Sequence, residues 1–382
     1  MKIGIEGQRL FRTKKHGMDM VALELIKELQ LIDKENQYYI YISPDEDNKC
    51  LIETENFKIR LIEGGFYPKW EQISLPKAAK ADHVDLLHCT SNTAPLSINI
   101  PLVLTLHDII YMEKSYMQIL KGSGTSYQKF GNLYRRFVVP KIIKNSKKII
   151  TVSEFEKRRI ADFFKLDGKK LKAVYNGVST HFKKITDNEE LIRVKEKYKL
   201  PDKFFFFLGN TDPKKNTKGV LQALSLFYKG NTEGYKLVML DYEKAELDKL
   251  IAEIGDSSLS DHIHLTGYVI NTDLPAIYNL CSIFLYPSLR ESFGIPMLEA
   301  MACGVPVITS NTSSMPEIAD EAALIIDPFK PEDITDGIIK ILSNEKFKSE
   351  LIEKGFKQAA RFTWKSMAEK VLNIYKEINS NK

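Results

Sequence analysis

The feature that most constrains the fold is a repeated alternation between short apolar runs and amphipathic segments. In chain order the runs read KIGIEG, QYYIYIS, FKIRLIE, VDLLH, LVLTLH, KKIITVS, KAVYNGV, FFFFLG, YKLVMLD, HIHLTG, IFLYP, PVITS and ALIID. Near-continuous apolar runs between helical segments are typical of parallel strands that are buried on both faces. The pattern therefore predicts an α/β protein built on parallel sheets.

A charged segment divides this pattern in two. The residues from Thr180 to Asp202 read THFKKITDNEELIRVKEKYKLPD, and the strand pattern restarts after them. We therefore predict two Rossmann-like, doubly wound domains facing across a cleft, residues 1–180 and 200–363. The last stretch, about 364–382, has apolar residues at helical spacing and is predicted to return to the first domain. Such sheets bind ligands beyond the carboxyl ends of their strands, so functional residues are expected just after strands.

Composition and charge exclude several classes of protein. The chain of 382 residues is 43% hydrophobic and 27% charged, which is typical of a soluble globular protein. A net charge of +5 does not call for a nucleic-acid partner. No apolar run reaches membrane-spanning length and the first residues lack a signal-peptide core, so a cytoplasmic protein is expected. The four cysteines have no C-x-x-C spacing, which argues against a zinc site and a disulfide framework.

Two glutamates bracket the segment ESFGIPMLEAMACG. On a single helix Glu291 and Glu299 would lie roughly 12 Å apart along the axis, too far for a shared task. Pro296 suits the first residue of a helix and Gly304 suits the position just past its end. The sequence therefore predicts a short helix from about Pro296 to Ala302.

This helix has the properties of an anion-binding site. Glu291 then belongs to the loop that enters the helix, and Glu299 lies one turn inside it. The N–H groups near Gly294 and Ile295 point forward from the helix start, where phosphate groups or sugar hydroxyls bind readily.

Other candidates follow predicted strands. His107 ends LVLTLH, and we favour a functional role because ligands lie at this edge. His88 ends VDLLH, and functional and structural roles are equally open for it. Gly7 follows the first strand either as a close approach to a ligand or as a plain tight turn. His262 and His264 are predicted to alternate in one strand and are interpreted as structural.

Charged residues in three places have both a functional and an ordinary interpretation. Lys214 and Lys215 precede a helix expected to start near Asn216, where a lysine can bind a diphosphate, although a solvated pair is the ordinary interpretation. Asp45-x-Asp47 has metal-binding spacing, but a polar turn is favoured and no metal is predicted. The run YRRFVVPKIIKNSKK is either a solvated helix face or a contact with anionic lipid headgroups.

The second half of the chain resembles glycosyltransferase family 4, the retaining enzymes of the GT-B fold. The matching stretches are LGNTDPKKN, the long segment from HLTGYVINTDLP through SLRESFGIPMLEAMACG to ALIIDP, and RFTWKSMAEKVLNIY. The first half is similar more loosely, through LVLTLHD, KIITVSEFEKRRI and AVYNGV. The resemblance spans nearly the full chain, and its most specific element is the pair of glutamates with seven residues between them.

The resemblance implies a role for each part of the glutamate segment. Glu291 would hydrogen-bond hydroxyl groups of the donor sugar, and Glu299 would accept both ribose hydroxyls, as an ionised carboxylate can. The amides of Phe293, Gly294 and Ile295 would hold the sugar and phosphate at the helix start. Each glutamate would then bind a different part of one nucleotide sugar.

Residues outside this segment also match the family. Lys215 matches a lysine that contacts the diphosphate, and His107 matches a histidine at the sugar. Gly7 lies in a loop near the phosphates, and Tyr268 lies in a GYV stretch beside the base. The sequence departs from the family at Asn210, where many members carry arginine as a second cation, so Lys215 and the helix dipole must neutralise more of the leaving charge. We expect His107 and Glu291 to be catalytic and the others to bind the donor.

The resemblance implies a hexosyltransferase of bacterial surface polysaccharide synthesis. The phrases SNTSSMPEIADEAA and WEQISLP look most like mannosyltransferases, which gives GDP-mannose as the expected donor and UDP-glucose as the next. The acceptor is expected to be a glycan or a lipid-linked glycan, with possible peripheral contact with the inner face of the cell membrane. Retention would proceed through an oxocarbenium-like species, with the departing phosphate taking the acceptor's proton and no metal or other cofactor.

Two alternatives belong to other functional classes. A nucleotide-sugar epimerase or a phosphorylase could use the same two-domain architecture, and would isomerise or phosphorolyse a sugar without an acceptor. A non-catalytic sugar-nucleotide-binding or membrane scaffold protein is the second alternative, suggested by the basic run and by Asn210. It would bind nucleotide tightly without transfer.

Overall fold

The protein consists of two compact units. The structure is a computed structural model that describes residues 1–113, 115–121, 125–230 and 234–380. The first unit contains Met1–Asn176 together with the chain from Trp364, and the second contains Gly177–Thr363. Residues 177–180, which the sequence analysis placed in the first domain, thus belong to the second.

The first unit is built on a parallel sheet of seven strands. Its order is β3-β2-β1-β4-β5-β6-β7, and Ile3 of the central strand lies opposite Tyr38 on one side and Leu86 on the other. The strands are β1 (Lys2–Glu6), β2 (Gln37–Ile42), β3 (Phe57–Leu61), β4 (Leu86–Cys89), β5 (Leu102–Thr105), β6 (Lys148–Thr151) and β7 (Leu171–Ala173). The strand order reverses between β1 and β4, so a ligand crevice is expected beyond the carboxyl ends of these two strands.

The second unit is built on a parallel sheet of six strands. Its order is β10-β9-β8-β11-β12-β13, and the order reverses between β8 and β11. The strands are β8 (Phe204–Phe207), β9 (Lys236–Met239), β10 (Ile263–Leu265), β11 (Ile283–Tyr286), β12 (Val307–Ser310) and β13 (Leu324–Ile326). All four residues of β8 are phenylalanines and all are buried, as a central strand requires.

Helices connect the strands in both units. They are α1 (Gly17–Ile32), α2 (Tyr67–Lys69), α3 (Leu75–Ala81), α4 (Ile110–Glu113), α5 (Tyr116–Lys121), α6 (Ser126–Asn145), α7 (Glu154–Phe164), α8 (Asn188–Lys197), α9 (Thr217–Gly230), α10 (Lys244–Ile254), α11 (Leu274–Leu280), α12 (Ile295–Ala302), α13 (Met315–Ala319), α14 (Pro331–Ser343), α15 (Glu345–Ala359) and α16 (Trp364–Ser380). A π-helical turn joins α2 to α3 at Trp70–Ser74.

The helix α16 packs against α1 in the first unit, as the sequence predicted. Its buried side includes Met367, Val371, Ile374 and Tyr375. A stripe of apolar residues three and four positions apart produces such a face on a helix.

Each of the thirteen predicted apolar runs forms a strand, and both sheets are parallel, so the predicted α/β class is confirmed. One local prediction was wrong. His262 ends a 3-10 turn at Ser257–His262, and only His264 lies in β10, where its Nε2 is 2.8 Å from the carbonyl oxygen of Tyr198.

Candidate functional site

The loop after β8 holds Lys215 in a fixed position. Asp212 caps a 3-10 turn at Pro213–Lys215 by accepting a hydrogen bond from the Lys214 N–H at 3.1 Å. Asn216 follows in the left-handed region, with φ 62°, and its side-chain amide donates to the carbonyl oxygens of Pro287 (3.2 Å) and Pro328 (2.7 Å). These bonds tie the loop to the segments that follow the strands β11 and β13.

Lys215 and Glu291 form an ion pair at this place. The Lys215 Nζ lies 2.6 Å from Glu291 Oε1, and the two side chains are only 17% and 12% exposed. The Lys215 ammonium also lies 5.2 Å from the centre of the Tyr286 ring. A charge pair so little exposed is screened weakly by water and salt, so each partner strongly fixes the position of the other.

The backbone around Glu291 is supported by the loop after β12. The Glu291 N–H donates to Ser313 Oγ at 3.1 Å, and the Ser314 hydroxyl donates to the carbonyl oxygen of Glu291 at 3.0 Å. Ser313 adopts a left-handed φ of 52°, which is uncommon for a residue with a side chain. The role of these two serines as supports was not predicted from the sequence.

The helix α12 begins at Ile295, one residue before the predicted start. Gly294 precedes it with φ 103°, and a Cβ there would lie 2.7 Å from Met315 Cε, so this position requires glycine. Phe293 is buried with its ring centre 5.7 Å from that of Phe362. Gly304 follows the helix with φ 77°, as a C-terminal glycine does.

Glu299 lies one turn inside α12 as a partly buried carboxyl group. The Tyr278 hydroxyl donates to its Oε2 at 3.2 Å. Burial raises the pKa of Glu299 to about 7, against the opposing effect of that hydrogen bond. The carboxyl group is therefore balanced between its neutral and ionised forms near neutral pH.

Two further predicted donor-binding residues are exposed. Asn210 lies on the loop that carries Lys215, and its Oδ1 accepts a hydrogen bond from the Asp212 N–H at 2.9 Å. Tyr268 follows β10 and is 63% exposed. Both residues are more exposed than Lys215 and Glu291.

In the first unit, Gly7 lies at the carboxyl end of β1. Its N–H donates to the Tyr41 carbonyl oxygen at 2.9 Å, and a Cβ on Gly7 would lie 2.6 Å from Leu10 Cδ1. The adjacent Glu6 is buried, and its carboxyl oxygens accept hydrogen bonds from the Gln8 N–H at 2.9 Å and the Thr90 N–H at 3.2 Å. Glu6 thereby joins the ends of β1 and β4.

His107 is buried beyond the end of β5. Its Nε2 lies 3.0 Å from the Thr90 carbonyl oxygen, which can only accept, so Nε2 carries a proton. Its own N–H donates to Asn92 Oδ1 at 2.6 Å. Burial lowers the pKa of His107, although the bond to Thr90 opposes this, so the ring is neutral and Nδ1 is an acceptor.

His88 has a structural environment. It is fully buried, with Nδ1 at 2.6 Å from the Tyr375 hydroxyl and Nε2 at 2.8 Å from Thr105 Oγ1. Burial lowers the pKa of His88 to about 3, so the ring stays neutral. The histidine joins the sheet to α16.

Two buried polar clusters of the first unit were not predicted from the sequence. In one, Arg9 Nε lies 2.9 Å from the buried Asp19 carboxyl group. In the other, the buried Glu71 accepts hydrogen bonds from Gln72 Nε2 at 2.8 Å and from three hydroxyl groups, those of Tyr67, Thr93 and Tyr134. Each cluster could have been found from one signal in the sequence. A charged residue stands at a position where the pattern of its segment calls for an apolar one.

The remaining charged candidates have ordinary contacts. The Asp47 carboxyl group pairs with Lys15, and no group of three His, Cys, Asp or Glu in the described ranges is placed to hold a metal ion. In the basic run, Arg136 Nη1 donates to the Tyr111 carbonyl oxygen at 2.9 Å, whereas Lys141 and Lys144 are exposed. None of the described helices is long and apolar enough to cross a membrane.

Known proteins resemble both units. A family model described as Glycosyltransferase Family 4 matches residues 16–182, and one described as Glycosyl transferases group 1 matches residues 188–358. The chain is 32% identical to O-antigen chain mannosyltransferase B of Escherichia coli over 61% of each protein. It is 27% identical to O-antigen chain mannosyltransferase RfbU of Salmonella typhimurium, over 69% of this chain and 65% of that protein. The alignments thus span less than two thirds of these relatives.

A solved structure confirms the architecture. The structure of HepE from Anabaena in complex with UDP-glucose aligns with a TM-score of 0.75 at 16% identity, covering 99% of this chain and 100% of that one. Two Rossmann-like domains with parallel sheets are the GT-B architecture that the sequence predicted. Because the two family models account for most of both units, the chain belongs to the glycosyltransferases of family 4 and group 1.

Proposed function

We propose that the protein is a retaining glycosyltransferase that moves mannose from GDP-mannose to a glycan or lipid-linked glycan of a bacterial surface polysaccharide. The observation that carries this proposal is the Lys215–Glu291 ion pair before the N-terminus of α12, with Glu299 one turn inside the helix. A cation, a helix start and two carboxyl groups at one sheet edge match the charges and hydroxyl groups of a nucleotide sugar.

The donor follows from the names of the relatives. Both bacterial relatives are O-antigen mannosyltransferases, which supports mannose as the transferred sugar. HepE was solved with UDP-glucose, so UDP-glucose is the second donor in our proposal.

Lys215 and the residues in and just before α12 each have a proposed task. Lys215 Nζ binds the donor's diphosphate, so its ion pair with Glu291 opens. Glu291 then accepts hydrogen bonds from hydroxyl groups of the sugar. The N–H groups at Phe293, Gly294 and Ile295 bind the sugar and phosphate at the start of α12. Glu299 in its ionised form accepts both ribose hydroxyls.

The proposed reaction breaks the bond between the sugar's anomeric carbon and the diphosphate oxygen, and forms a bond from that carbon to the acceptor oxygen. The acceptor's proton passes to the departing phosphate, so atoms and charge balance without a protein nucleophile. His107 of the first unit, neutral and with Nδ1 as an acceptor, accepts a hydrogen bond from a sugar hydroxyl group in this proposal. Preorganised dipoles and charges of this kind stabilise the developing positive charge on the sugar ring and the leaving diphosphate.

Metal independence is part of the proposal. Asn210 stands where many family members carry a second cation, so Lys215 and the dipole of α12 neutralise the leaving diphosphate in our mechanism. Transfer should therefore persist in a chelator such as EDTA, and loss of transfer on chelation with recovery on added Mg²⁺ would contradict this part.

We also propose that α6 rests on an anionic membrane surface, where a lipid-linked acceptor resides. Phe130, Phe137, Lys141 and Lys144 follow each other at intervals of seven, four and three residues, so they lie on one side of the helix. Phe130 and Phe137 are 43% and 59% exposed, and Lys141 Nζ lies 3.5 Å from the centre of the Phe137 ring. Exposed aromatic rings followed by lysines suit a lipid headgroup region.

Donor binding and turnover test the main proposal together. The purified chain is screened by thermal shift against GDP, UDP, GDP-mannose and UDP-glucose, because a ligand of the native state raises Tm. GDP release and the configuration of the product are then followed with GDP-mannose. We expect GDP-mannose to give the largest shift and an α-linked product. Isomerised sugar without an acceptor, or binding without any turnover, would instead support the epimerase or scaffold alternatives.

A further inference from the structure

Asp273 stands at the start of α11, but its side chain faces a different helix. An aspartate in this position usually accepts a hydrogen bond from the first turn of the helix that follows it. The Asp273 side chain makes no such bond to the described N–H groups of α11. Its Oδ1 instead accepts from Arg193 Nη2 at 2.9 Å, and its Oδ2 accepts from Lys197 Nζ at 2.6 Å. The carboxylate therefore joins the start of α11 to α8.

Tyr198, directly after α8, is the third partner of this carboxylate. Its hydroxyl group donates to Asp273 Oδ2 at 2.9 Å, and the two residues are only 8% and 2% exposed. Burial would raise the pKa of Asp273, but the hydrogen bonds from its three partners outweigh this effect and lower that pKa. Asp273 is therefore an ionised acceptor at neutral pH, with a donor on each oxygen.

The same hydroxyl group holds the loop that follows β10. The Ile270 N–H donates to the Tyr198 hydroxyl at 3.4 Å, and the Ile270 carbonyl oxygen accepts from the Asp273 N–H at 3.0 Å. Nearer to the strand, the Asp241 N–H donates to the Gly267 carbonyl oxygen at 3.0 Å. The loop is therefore held by its neighbours at two points, three residues apart.

Tyr268 lies between these two points. It is 63% exposed, so the position of its ring depends mainly on the backbone of the loop. β10 lies two strands from β8 in the sheet, which separates the ends of these strands by roughly 10 Å. A nucleotide whose diphosphate binds at Lys215, after β8, is long enough to reach Tyr268 with its base. Aromatic rings stack well on nucleotide bases.

We propose that Tyr198 and Asp273 are positioning residues that hold the Tyr268 loop against the base of the donor nucleotide and thereby set the preference between guanine and uracil. Both side chains act through the backbone of Ile270 and not by touching the nucleotide. Recognition requires groups held to within about 0.5 Å, so a loop released from Tyr198 should still bind nucleotides but distinguish their bases less well. This inference rests on the proposed function and adds to it the residues that decide which nucleotide is used.

The test measures the Kd of GDP, UDP and inorganic pyrophosphate by calorimetry. Pyrophosphate has no base, so it reports on the diphosphate part of the site alone. Tyr198→Phe removes the shared hydroxyl group and keeps the ring. Asp273→Asn is an independent second variant that keeps the shape of the side chain. The two cations that it deprives of their partner, Arg193 and Lys197, are 53% and 43% exposed, so water can solvate them.

Two controls separate positioning from general effects on the fold. Tyr228→Phe removes a buried hydroxyl group of the second unit that has no hydrogen-bond partner in the part of the chain that the structure describes. Ile338→Val removes a fully buried methyl group from the core of the same unit, which should lower Tm. Neither residue belongs to the loop or to the cluster around Asp273.

We expect Tyr198→Phe and Asp273→Asn to bring the ratio of the UDP and GDP Kd values about three- to tenfold closer to one, as the loss of a hydrogen bond does. Pyrophosphate affinity should stay near the wild-type value, and both controls should keep the wild-type ratio. Tyr268→Ala should also bring the ratio closer to one. Adding Tyr198→Phe to it should change nothing further, because Tyr198 acts through the loop that carries Tyr268.

Four results would overturn the inference. They are an unchanged ratio in both main variants, an equal loss of affinity for all three ligands, the same change of ratio in Ile338→Val, and additive effects of Tyr198→Phe and Tyr268→Ala. The third result would show that lost stability alone alters the base preference.

The result is separable from the test of the proposed function. If the wild type turns over GDP-mannose and prefers one nucleotide, but Tyr198→Phe and Asp273→Asn keep that preference, only the positioning role is wrong. If the wild type transfers no sugar, yet its base preference depends on Tyr198 and Asp273, the positioning role stands and the proposed reaction fails.

Discussion

Lys215 and Glu291 are 76 residues apart in the chain, yet their charged groups lie 2.6 Å apart. Each is proposed to bind a different part of the donor, so in the free protein the two ligand-binding groups satisfy each other. Binding of a diphosphate exchanges one anion for another at Lys215. Before the donor binds, the Glu291 carboxylate compensates the charge of the mostly buried Lys215 ammonium, which would be costly to leave unpaired.

Removing the Glu291 carboxylate should abolish transfer while the fold remains. We expect Glu291→Gln and Glu291→Ala to lower the transfer rate by at least about a hundredfold, because an interaction with the reacting sugar is lost. The circular dichroism spectrum should stay unchanged. The control is Glu321→Ala, which removes a 2.9 Å pair with Lys354 on the surface. Wild-type transfer by both Glu291 variants would refute the assignment.

Lys215→Ala should weaken donor binding much more than acceptor binding. Loss of a charge-assisted contact with the diphosphate should raise the Kd of GDP-mannose about tenfold or more. The neighbouring Lys214→Ala is the matched control, since Lys214 lies on the same 3-10 turn and is more exposed. Calorimetry measures the Kd, and initial rates at saturating donor give the acceptor KM. Equal losses for donor and acceptor would count against this role.

Nucleotide binding should depend on pH through Glu299. Its pKa of about 7 in the folded protein means that the carboxylate which accepts the ribose hydroxyls forms as pH rises from 6 to 8. The Kd of GDP should therefore fall over this range in the wild type, whereas in Glu299→Gln it should stay constant and weak. A similar pH dependence in the variant would assign the titration to another group.

The Glu299 carboxyl group should also lower the free energy of unfolding as pH rises, whereas it strengthens nucleotide binding over the same pH range. Because the folded pKa of Glu299 is above the unfolded value, its contribution is fully present below pH 4.5 and is lost as pH rises through 7. The loss amounts to about 3 kcal/mol at most. Urea unfolding of the ligand-free protein at pH 5 and at pH 8 measures this loss of unfolding free energy. In Glu299→Gln the part of the difference that is due to Glu299 should be absent.

The Tyr375 hydroxyl should stabilise the docking of α16. Tyr375→Phe leaves the buried His88 Nδ1 without its 2.6 Å partner, which should cost about 1–3 kcal/mol of unfolding free energy. Lys376→Ala, one residue along the same helix, should cost less than about 0.5 kcal/mol. Chemical denaturation measures both. An unchanged midpoint for Tyr375→Phe would show that the bond contributes nothing.

Membrane binding should depend on the exposed stripe of α6. Phe130→Ser with Phe137→Ser should reduce sedimentation with phosphatidylglycerol vesicles, and Lys141→Gln with Lys144→Gln should reduce it most at low salt. Phosphatidylcholine vesicles should bind weakly in every case. Transfer to a soluble glycoside should stay unchanged in all these variants. Binding to both lipids that is insensitive to the four substitutions would exclude α6 as the contact.

Local sequence determined the elements of this protein. Thirteen apolar runs became thirteen strands, and Pro296 with Gly304 marked the ends of α12 to within a residue or two. Periodicity, proline and glycine act over a few residues, so a single segment carries enough information. The same proline and glycine placed Glu291 in a loop and Glu299 on a helix.

Only the tertiary structure decided which polar groups meet. The Lys215–Glu291 pair exists because β8 and β11 are neighbours in the sheet, and the Arg9–Asp19 pair exists because α1 starts beside the end of β1. Strand order is set by the packing of distant segments around shared cores, and no pattern within one segment records it. The burial that raises the pKa of Glu299 arises from that same packing.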